Sequence, residues 1–179
     1  MTNMNYSVVL RNWSQMELMY PYYMANNRTG CVVQFANRPP EVFPRSCHPV
    51  VDQLAYFFYT DTNRMRSFAK EITGNSAMRK PPLVLSRDMT LMPVKMRTPR
   101  NYSDSFGYVV LQQVEQMRAV EGKKSTIIRF YSGHEVEVPQ LKRSLLRQQK
   151  LARMLTDRYA QELRKRRLEE AWEGDWERL

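Results

Sequence analysis

Cysteine and histidine are scarce in this sequence. Its 179 residues include two cysteines, Cys31 and Cys47, and two histidines, His48 and His134. Two cysteines cannot form a disulfide framework, and no CxxC spacing occurs, so reduced thiols in a cytosolic protein fit best. His48 follows Cys47 directly, and adjacent residues rarely ligate one metal ion together. We therefore expect no metal and no other cofactor.

Long hydrophobic runs are also missing. The longest uninterrupted run of apolar and aromatic residues spans positions 54–59, whereas a helix that crosses a bilayer needs about 20 residues. The N-terminal residues 1–13 lack the basic start and apolar stretch of a secretory signal. By elimination, these absences predict a cytoplasmic protein that makes no use of a membrane.

Motifs of the common enzyme classes are absent as well. The sequence contains no Walker A motif, no GxGxxG and no GxSxG, so neither a phosphate-cradling loop nor a nucleophile elbow is indicated. Acidic residues are thin in the middle of the chain, which makes a two-metal carboxylate site difficult to assemble. His134 is interpreted as a residue beside a turn rather than as a base. We therefore expect that the protein is not an enzyme.

Positive charge, by contrast, is abundant. Lys and Arg number 28 against 18 Asp and Glu, which gives a net charge of +10 and a pI near 9.8. Such values are typical of nucleic-acid-binding proteins, although charge dispersed over the surface would give the same totals. The hydrophobic content of 42% is that of a folded protein. The clustering of the charges therefore has to distinguish the two cases.

Short β-rich runs dominate residues 1–139. Runs of β-branched and aromatic residues predict strands, and the first three would form a small antiparallel sheet. Residues 51–72 stay ambiguous, because Asp52 could cap a helix but the aromatic run suits a buried strand equally well. The predicted strands lie at 6–10, 16–24, 31–35, within 79–85, at 90–96 and at 105–117, where a helix is not excluded. The second strand either spans 16–24 or ends at Pro21, and Pro93 is expected to break the strand at 90–96.

Residues 126–141, TIIRFYSGHEVEVPQL, predict a β-hairpin. A three-residue loop at 131–133 places Gly133 third, where such loops need a left-handed residue. A two-residue loop would instead set apolar residues opposite charged ones, so the pattern favours the longer loop. The predicted pairs are Phe130 with His134, Arg129 with Glu135, Ile128 with Val136, and Thr126 with Val138.

Pro139 ends the hairpin, and a long basic helix is predicted to follow. Apolar residues recur along one helical face and basic residues along another. The apolar face is interpreted first as core and second as a dimer interface. After Arg167 the charge changes sign, and this acidic tail could dock a partner or clamp the basic helix. The apolar face holds Leu141, Leu145, Ala152, Leu155, Tyr159 and Leu163, and the basic face holds Arg143, Arg147, Lys150, Arg158 and Lys165.

Together these patterns predict an α+β protein with antiparallel strands in its N-terminal and central parts and a long basic C-terminal helix. We expect a β-rich body over residues 1–139, and a helix with an acidic tail over 140–179, packed as one domain.

Basic residues are interleaved with polar and aromatic ones in three segments: 64–70, 92–102 and the helix after 140. A single Lys or Arg is more often simply solvated, but together these residues could neutralise several phosphates. The helix is predicted to contact phosphates, and the connection 95–101 is favoured for reading bases. The candidate nucleic-acid-binding residues are Lys95, Arg97, Arg100, Asn101, Lys142, Arg143, Arg147 and Lys150.

Four segments carry a family resemblance through their order along the chain. They are Arg45-Ser46-Cys47, ITG…RKPPLVL at 72–85, LMPVKMRTPRNYSDSFGYV at 91–109, and FYSGHEVEVPQLKRSLLRQ at 130–148. In this order they resemble the ComK family of bacterial competence transcription factors, with Ser144 and Gln148 on the family's Ser and Gln. The resemblance runs from about residue 6 to residue 155.

The resemblance implies a sequence-specific activator of DNA-uptake genes. Family members bind paired A/T-rich boxes, largely through the minor groove, as dimers that assemble into a tetramer on the promoter. They are delivered to a Clp protease by a MecA-type adaptor. A minor-groove reader needs Arg, Lys, Asn or Gln side chains, which this chain supplies. A basic RNA-binding or ribosome-associated protein is the alternative.

Overall fold

Antiparallel strands and helices both contribute to the fold, so the predicted α+β class is confirmed. The computed structural model describes residues 6–25, 28–97 and 105–176, in which nine strands and four α-helices occur. The strands are β1 (Met16–Tyr23), β2 (Thr29–Phe35), β3 (Glu41–Phe43), β4 (Leu83–Ser86), β5 (Met89–Lys95), β6 (Phe106–Val110), β7 (Val114–Ala119), β8 (Thr126–Phe130) and β9 (Glu135–Val138). The helices are α1 (Ser7–Arg11), α2 (Cys47–Phe57), α3 (Thr62–Thr73) and α4 (Lys142–Trp176).

Six strands form one antiparallel sheet in the order β3-β2-β1-β6-β5-β4. Alternation along these strands divides the core into two layers. Leu91 and its partner Val110 face the side covered by α2, whereas Met92 and its partner Val109 face the other side. That second side is covered by the remaining three strands and by α4. The large sheet is therefore buried on both faces.

The strands β7, β8 and β9 form the second sheet, and its hairpin has the predicted register. Gly133 is third in the loop with a φ of 91°, a conformation that favours glycine. Arg129 stands opposite Glu135, as predicted, but its Nε lies 2.9 Å from a carboxylate oxygen of Glu115 on β7. Because β8 is the central strand, Arg129 has neighbours on both sides, and its ion pair forms on the β7 side.

The predicted strand at 6–10 is wrong, because Ser7–Arg11 form helix α1. The β-branched Val8 and Val9 favour a strand locally, but packing decides the outcome. Val9 is 1% exposed within the core beside α2. The Asn12 side chain donates a hydrogen bond to the Val8 carbonyl at 2.7 Å, which satisfies the end of this short helix.

Residues 51–72, which were ambiguous between helix and strand, belong to two helices. The capping residue is Asp61 rather than Asp52, because its side chain accepts a hydrogen bond from the Arg64 backbone N at 2.7 Å. Gly74, with a φ of 65°, ends α3. Asp52 instead lies inside α2. The aromatic run is therefore the end of one helix and the turn into the next.

One expected strand break, at Pro93, is also wrong, and of the two alternatives for β1 the longer strand, which runs past Pro21, is confirmed. β1 continues through Pro21 and β5 through Pro93. The Lys95 backbone N points away from β6, toward Gln140, and position 93 has the same orientation. On that side β4 pairs with β5 only up to Leu91, so Pro93 removes no bond from the ladder.

The segment 105–117 is not one strand. It divides into β6 and β7, which belong to different sheets, with a 3₁₀ turn at Leu111–Gln113 between them. Leu111 and Val114 are both buried in the layer between the sheets. The turn thus carries the chain from one sheet to the other without leaving the core.

The apolar face of α4 is mostly core, as predicted. Leu145, Ala152 and Leu155 are each 0% exposed, and Leu155 joins α3 and the edge strand β4 through Ala69 and Val84. The ends of the stripe differ, since Leu141 and Leu163 are 37% exposed. Beyond Tyr159 no described residue of α4 is buried. The centre of the stripe is therefore used for packing within the chain.

We expect Leu155→Ala to lower the free energy of unfolding by about 2–5 kcal/mol, because it leaves a cavity where α3, β4 and α4 meet. The matched control is Leu163→Ala on the same helix, which is expected to cost about 0.5 kcal/mol or less. Urea unfolding followed by circular dichroism measures both values. Equal losses in the two variants would contradict this packing of α4.

Candidate nucleic-acid interface

One glutamine side chain connects the start of α4 to the end of β5. Gln140 Oε1 accepts a hydrogen bond from the Lys95 backbone N at 3.0 Å, and Gln140 Nε2 donates to Ser144 Oγ at 3.1 Å. The Gln140 carbonyl accepts from Thr126 Oγ1 at 2.7 Å. The backbone of β5, the hairpin and the first turn of α4 therefore meet here. Two predicted segments, the 95–101 connection and the basic helix, begin side by side.

The four predicted cations of α4, Lys142, Arg143, Arg147 and Lys150, are all exposed. Arg143, Arg147 and Lys150 follow one another at spacings of four and three, so they emerge on one helical face. The buried residues of α4 lie on the opposite face. Within the described part of the chain, none of the four is in an ion pair with a carboxylate. We call this surface the basic helix face.

Arg153 is absent from the predicted set, yet it lies exposed beside the basic helix face. Positions 142, 153 and 164 are eleven apart, which is about three helical turns, so Lys142, Arg153 and Arg164 share one flank. This eleven-residue spacing is the signal in the sequence that would have found Arg153. The cationic surface of α4 is therefore wider than the single row formed by Arg143, Arg147 and Lys150.

Charge on the neighbouring second sheet is internally paired. The ion pairs join Arg129 to Glu115 at 2.9 Å, Lys123 to Glu137 at 3.7 Å, and Arg118 to Glu135 at 3.8 Å. Exposed pairs of this kind contribute little stability, but they leave the sheet surface close to neutral. Attraction for a polyanion therefore rises sharply from the hairpin to α4.

Lys95 and Arg97 lie differently from the helix cations. Lys95 is paired in register with Phe106. The Lys95 and Phe106 side chains therefore both project from the face of the large sheet that α2 covers. The Arg97 guanidinium lies 3.5 Å from the centre of the Tyr23 ring, a cation–π contact that orients it. The structure therefore does not add these two side chains to the basic helix face. Arg100 and Asn101 lie outside the described residues.

A buried carboxylate holds the hairpin loop against the large sheet. Glu17 in β1 is 0% exposed. Ser132 Oγ donates a hydrogen bond to one of its oxygens, and His134 Nδ1 lies 2.8 Å from the other. Gln34 Nε2, at 3.5 Å, is a further donor. His134 flanks the turn, as predicted, and its ring and Ser132 compensate a carboxylate that would be costly to bury alone.

The two cysteines are free and buried, and they lie on neighbouring elements, β2 and α2. A hydrogen bond with the Cys47 thiol, together with burial, raises the pKa of Cys31, so this sulfur stays protonated. His48 lies 3.4 Å from an Asp52 oxygen rather than sharing a ligand position with Cys47. Among the described residues, no three His, Cys, Asp or Glu side chains converge as a metal site would require.

No family model matches this sequence, and neither a curated protein nor a solved structure matches the chain. The resemblance to the ComK family therefore stays a prediction. None of the described helices combines the length and the apolar character needed to cross a membrane.

We expect Gln140→Ala to lower the free energy of unfolding by about 1–3 kcal/mol, because it leaves the Lys95 backbone N without its acceptor. Gln116→Ala, at an exposed position of β7, is the control and is expected to change stability by about 0.5 kcal/mol or less. Urea unfolding gives both values. A Gln140→Ala variant as stable as the control would show that this connection does not fix α4.

Proposed function

We propose that the protein is a sequence-specific DNA-binding transcription activator of competence genes, located in the cytoplasm and without enzymatic activity. The observation that carries the proposal is the basic helix face: exposed cations at helical spacing, free of carboxylate partners among the described residues, on a helix whose other side is core. Such a row can lie along a phosphate backbone, and each phosphate it neutralises releases counterions.

The structural setting of α4 supports duplex DNA as the ligand. Leu145, Ala152 and Leu155 fix the first half of the helix against the body, so its cations have fixed spacing. Lys142 and Lys150 are eight positions apart, which spans about 12 Å along the helix. Measured along the duplex axis, that distance covers about three to four phosphates of one DNA strand. Because the helix is already folded against the body, binding avoids the conformational entropy that a segment ordered only on binding would lose.

Base recognition and assembly are further parts of the proposal and follow the ComK resemblance. We place base reading in the connection 95–101, which begins at Lys95 beside the first turn of α4. Paired A/T-rich boxes present a narrow, electronegative minor groove that attracts Arg and Lys. Dimers that assemble into a tetramer on the promoter would read the paired boxes. Control by a MecA-type adaptor and a Clp protease completes the proposal.

We expect Arg147→Ala to weaken binding to specific and nonspecific DNA alike, because a phosphate contact carries no sequence information. The slope of log K against log salt should become shallower by about one unit. Arg129→Ala is the matched control, since it also removes one arginine charge but from an ion pair on the second sheet. Fluorescence anisotropy at several salt concentrations measures the slopes. An unchanged slope in Arg147→Ala would move the basic helix face off the DNA.

The choice between DNA and RNA rests on one comparison of ligands. We expect a duplex with two A/T-rich boxes one helical turn apart to bind more tightly than a G·C-rich duplex or an RNA of equal length. The difference should be about tenfold or more at 150 mM salt, because minor-groove width favours the A/T boxes. Equal affinity for all three would refute a specific activator, and preference for the RNA would favour the alternative of an RNA-binding protein.

A further inference from the structure

A second cationic site lies on the other face of the large sheet. It is a hollow of about 380 Å³, a volume within the range of about 300–1,000 Å³ that is usual for small-molecule sites. Its walls come from the first turn of α2, from α3, from the loop before β4 and from β6. We call it the basic hollow, and its principal residues are Ser46, Arg66, Arg79, Lys80, Phe106 and Tyr108.

Three cationic side chains converge on this hollow from two separate parts of the chain. Arg66 comes from α3, and Arg79 and Lys80 come from the loop before β4. Among the described residues that line the hollow, none is acidic. Asp52 lies close by, but its carboxylate accepts a hydrogen bond from Thr62 Oγ1 at 3.0 Å and contacts His48 at 3.4 Å. Three cations and no carboxylate therefore line the described part of the hollow.

Two of the cations are oriented by neighbouring side chains. Lys80 Nζ lies 4.2 Å from the centre of the Phe106 ring, a cation–π contact that positions the ammonium group. Burial raises the pKa of Tyr108, whereas the adjacent Arg66 guanidinium acts in the opposite direction. Tyr108 is therefore a neutral phenol. Arg66 Nη1 also donates a hydrogen bond to Asn63 Oδ1 at 3.3 Å. Arg66 and Lys80 are positioned before any ligand arrives.

Two further groups suit an anion and are not engaged elsewhere in the described structure. Arg79 is exposed at the rim of the hollow and forms no ion pair there. Ser46 precedes α2 as its N-cap, yet its side chain makes no capping hydrogen bond. The first turn of the eleven-residue α2 contains no acidic residue, so its backbone N–H groups add partial positive charge beside the three cations.

We propose that the basic hollow binds the phosphate group of a small phosphorylated molecule, as free phosphate or as a phosphate monoester. Concave shape, three converging cations and a helix N-terminus together match a compact dianion. The hollow opens on the face of the large sheet that α2 covers, whereas the basic helix face belongs to the layer on the other side. The two sites use different residues, so this proposal holds whether or not the basic helix face binds DNA.

The test measures binding of inorganic phosphate, adenosine monophosphate and a short DNA duplex to the full chain by calorimetry. We expect phosphate or the monophosphate to bind with one-to-one stoichiometry. Arg79→Gln should weaken that binding about tenfold or more, because it removes a charge-assisted hydrogen bond. Arg87→Gln is the control: Arg87 is exposed in the turn after β4, so the substitution removes the same net charge outside the hollow.

Several results would overturn the proposal. If neither small anion binds the wild-type chain while the duplex does, the hollow is not a site for a small phosphorylated molecule. If Arg79→Gln and Arg87→Gln weaken phosphate binding equally, the loss reflects net charge alone and not a contact in the hollow. Phosphate binding that persists in Arg147→Ala supports the proposal and separates it from the DNA-binding function. Loss of phosphate binding in Arg147→Ala, with normal binding in Arg79→Gln, would place the phosphate on α4.

Discussion

A buried carboxylate is the constraint on which the arrangement of the two sheets depends. Glu17 has no exposed surface, and its two oxygens are held by Ser132 and His134 from the hairpin loop. Without the loop, this buried charge would keep only the 3.5 Å contact from Gln34 Nε2, and an undercompensated buried charge is far more costly than a lost surface contact. The second sheet is therefore held at one position on β1. Since Pro139 follows directly from β9, the same constraint determines where α4 begins.

From that starting point, the alternation of the large sheet separates the two cationic surfaces. Met92 and Val109 face the layer that receives α4, and Leu91 and Val110 face the layer that receives α2. A strand can present a residue to only one face, so neighbouring positions serve opposite sides of the molecule. Lys95 shows the consequence: its backbone bonds to Gln140 beside α4, while its register with Phe106 puts its side chain on the α2 side.

How far the sequence predicts this structure depends on whether the determinant is local. The hairpin register was predictable because Gly133 and the alternation of β8 and β9 lie within thirteen consecutive residues. The apolar and basic faces of α4 follow from helical spacing in the same way. Helix α1 was not predictable, because Val9 favours a strand and only its burial beside α2 reverses that preference. The contact between Glu17 and His134 was not predictable either, because residues 17 and 134 are far apart in the sequence.

The basic hollow illustrates the same limit at a candidate site. Arg66 belongs to the basic segment 64–70, whereas Lys80 lies outside all three basic segments, and nothing in their spacing indicates that they converge. In the sequence, each of these two cations is expected to be solvated. The fold instead brings both beside the first turn of α2. The basic helix face, in contrast, is visible in the sequence because one helix carries all of it. A polyanion can be met by a linear row of charges, but a compact dianion needs a concave site. In this chain the concave site comes from separate elements, which is why it emerges only from the folded arrangement.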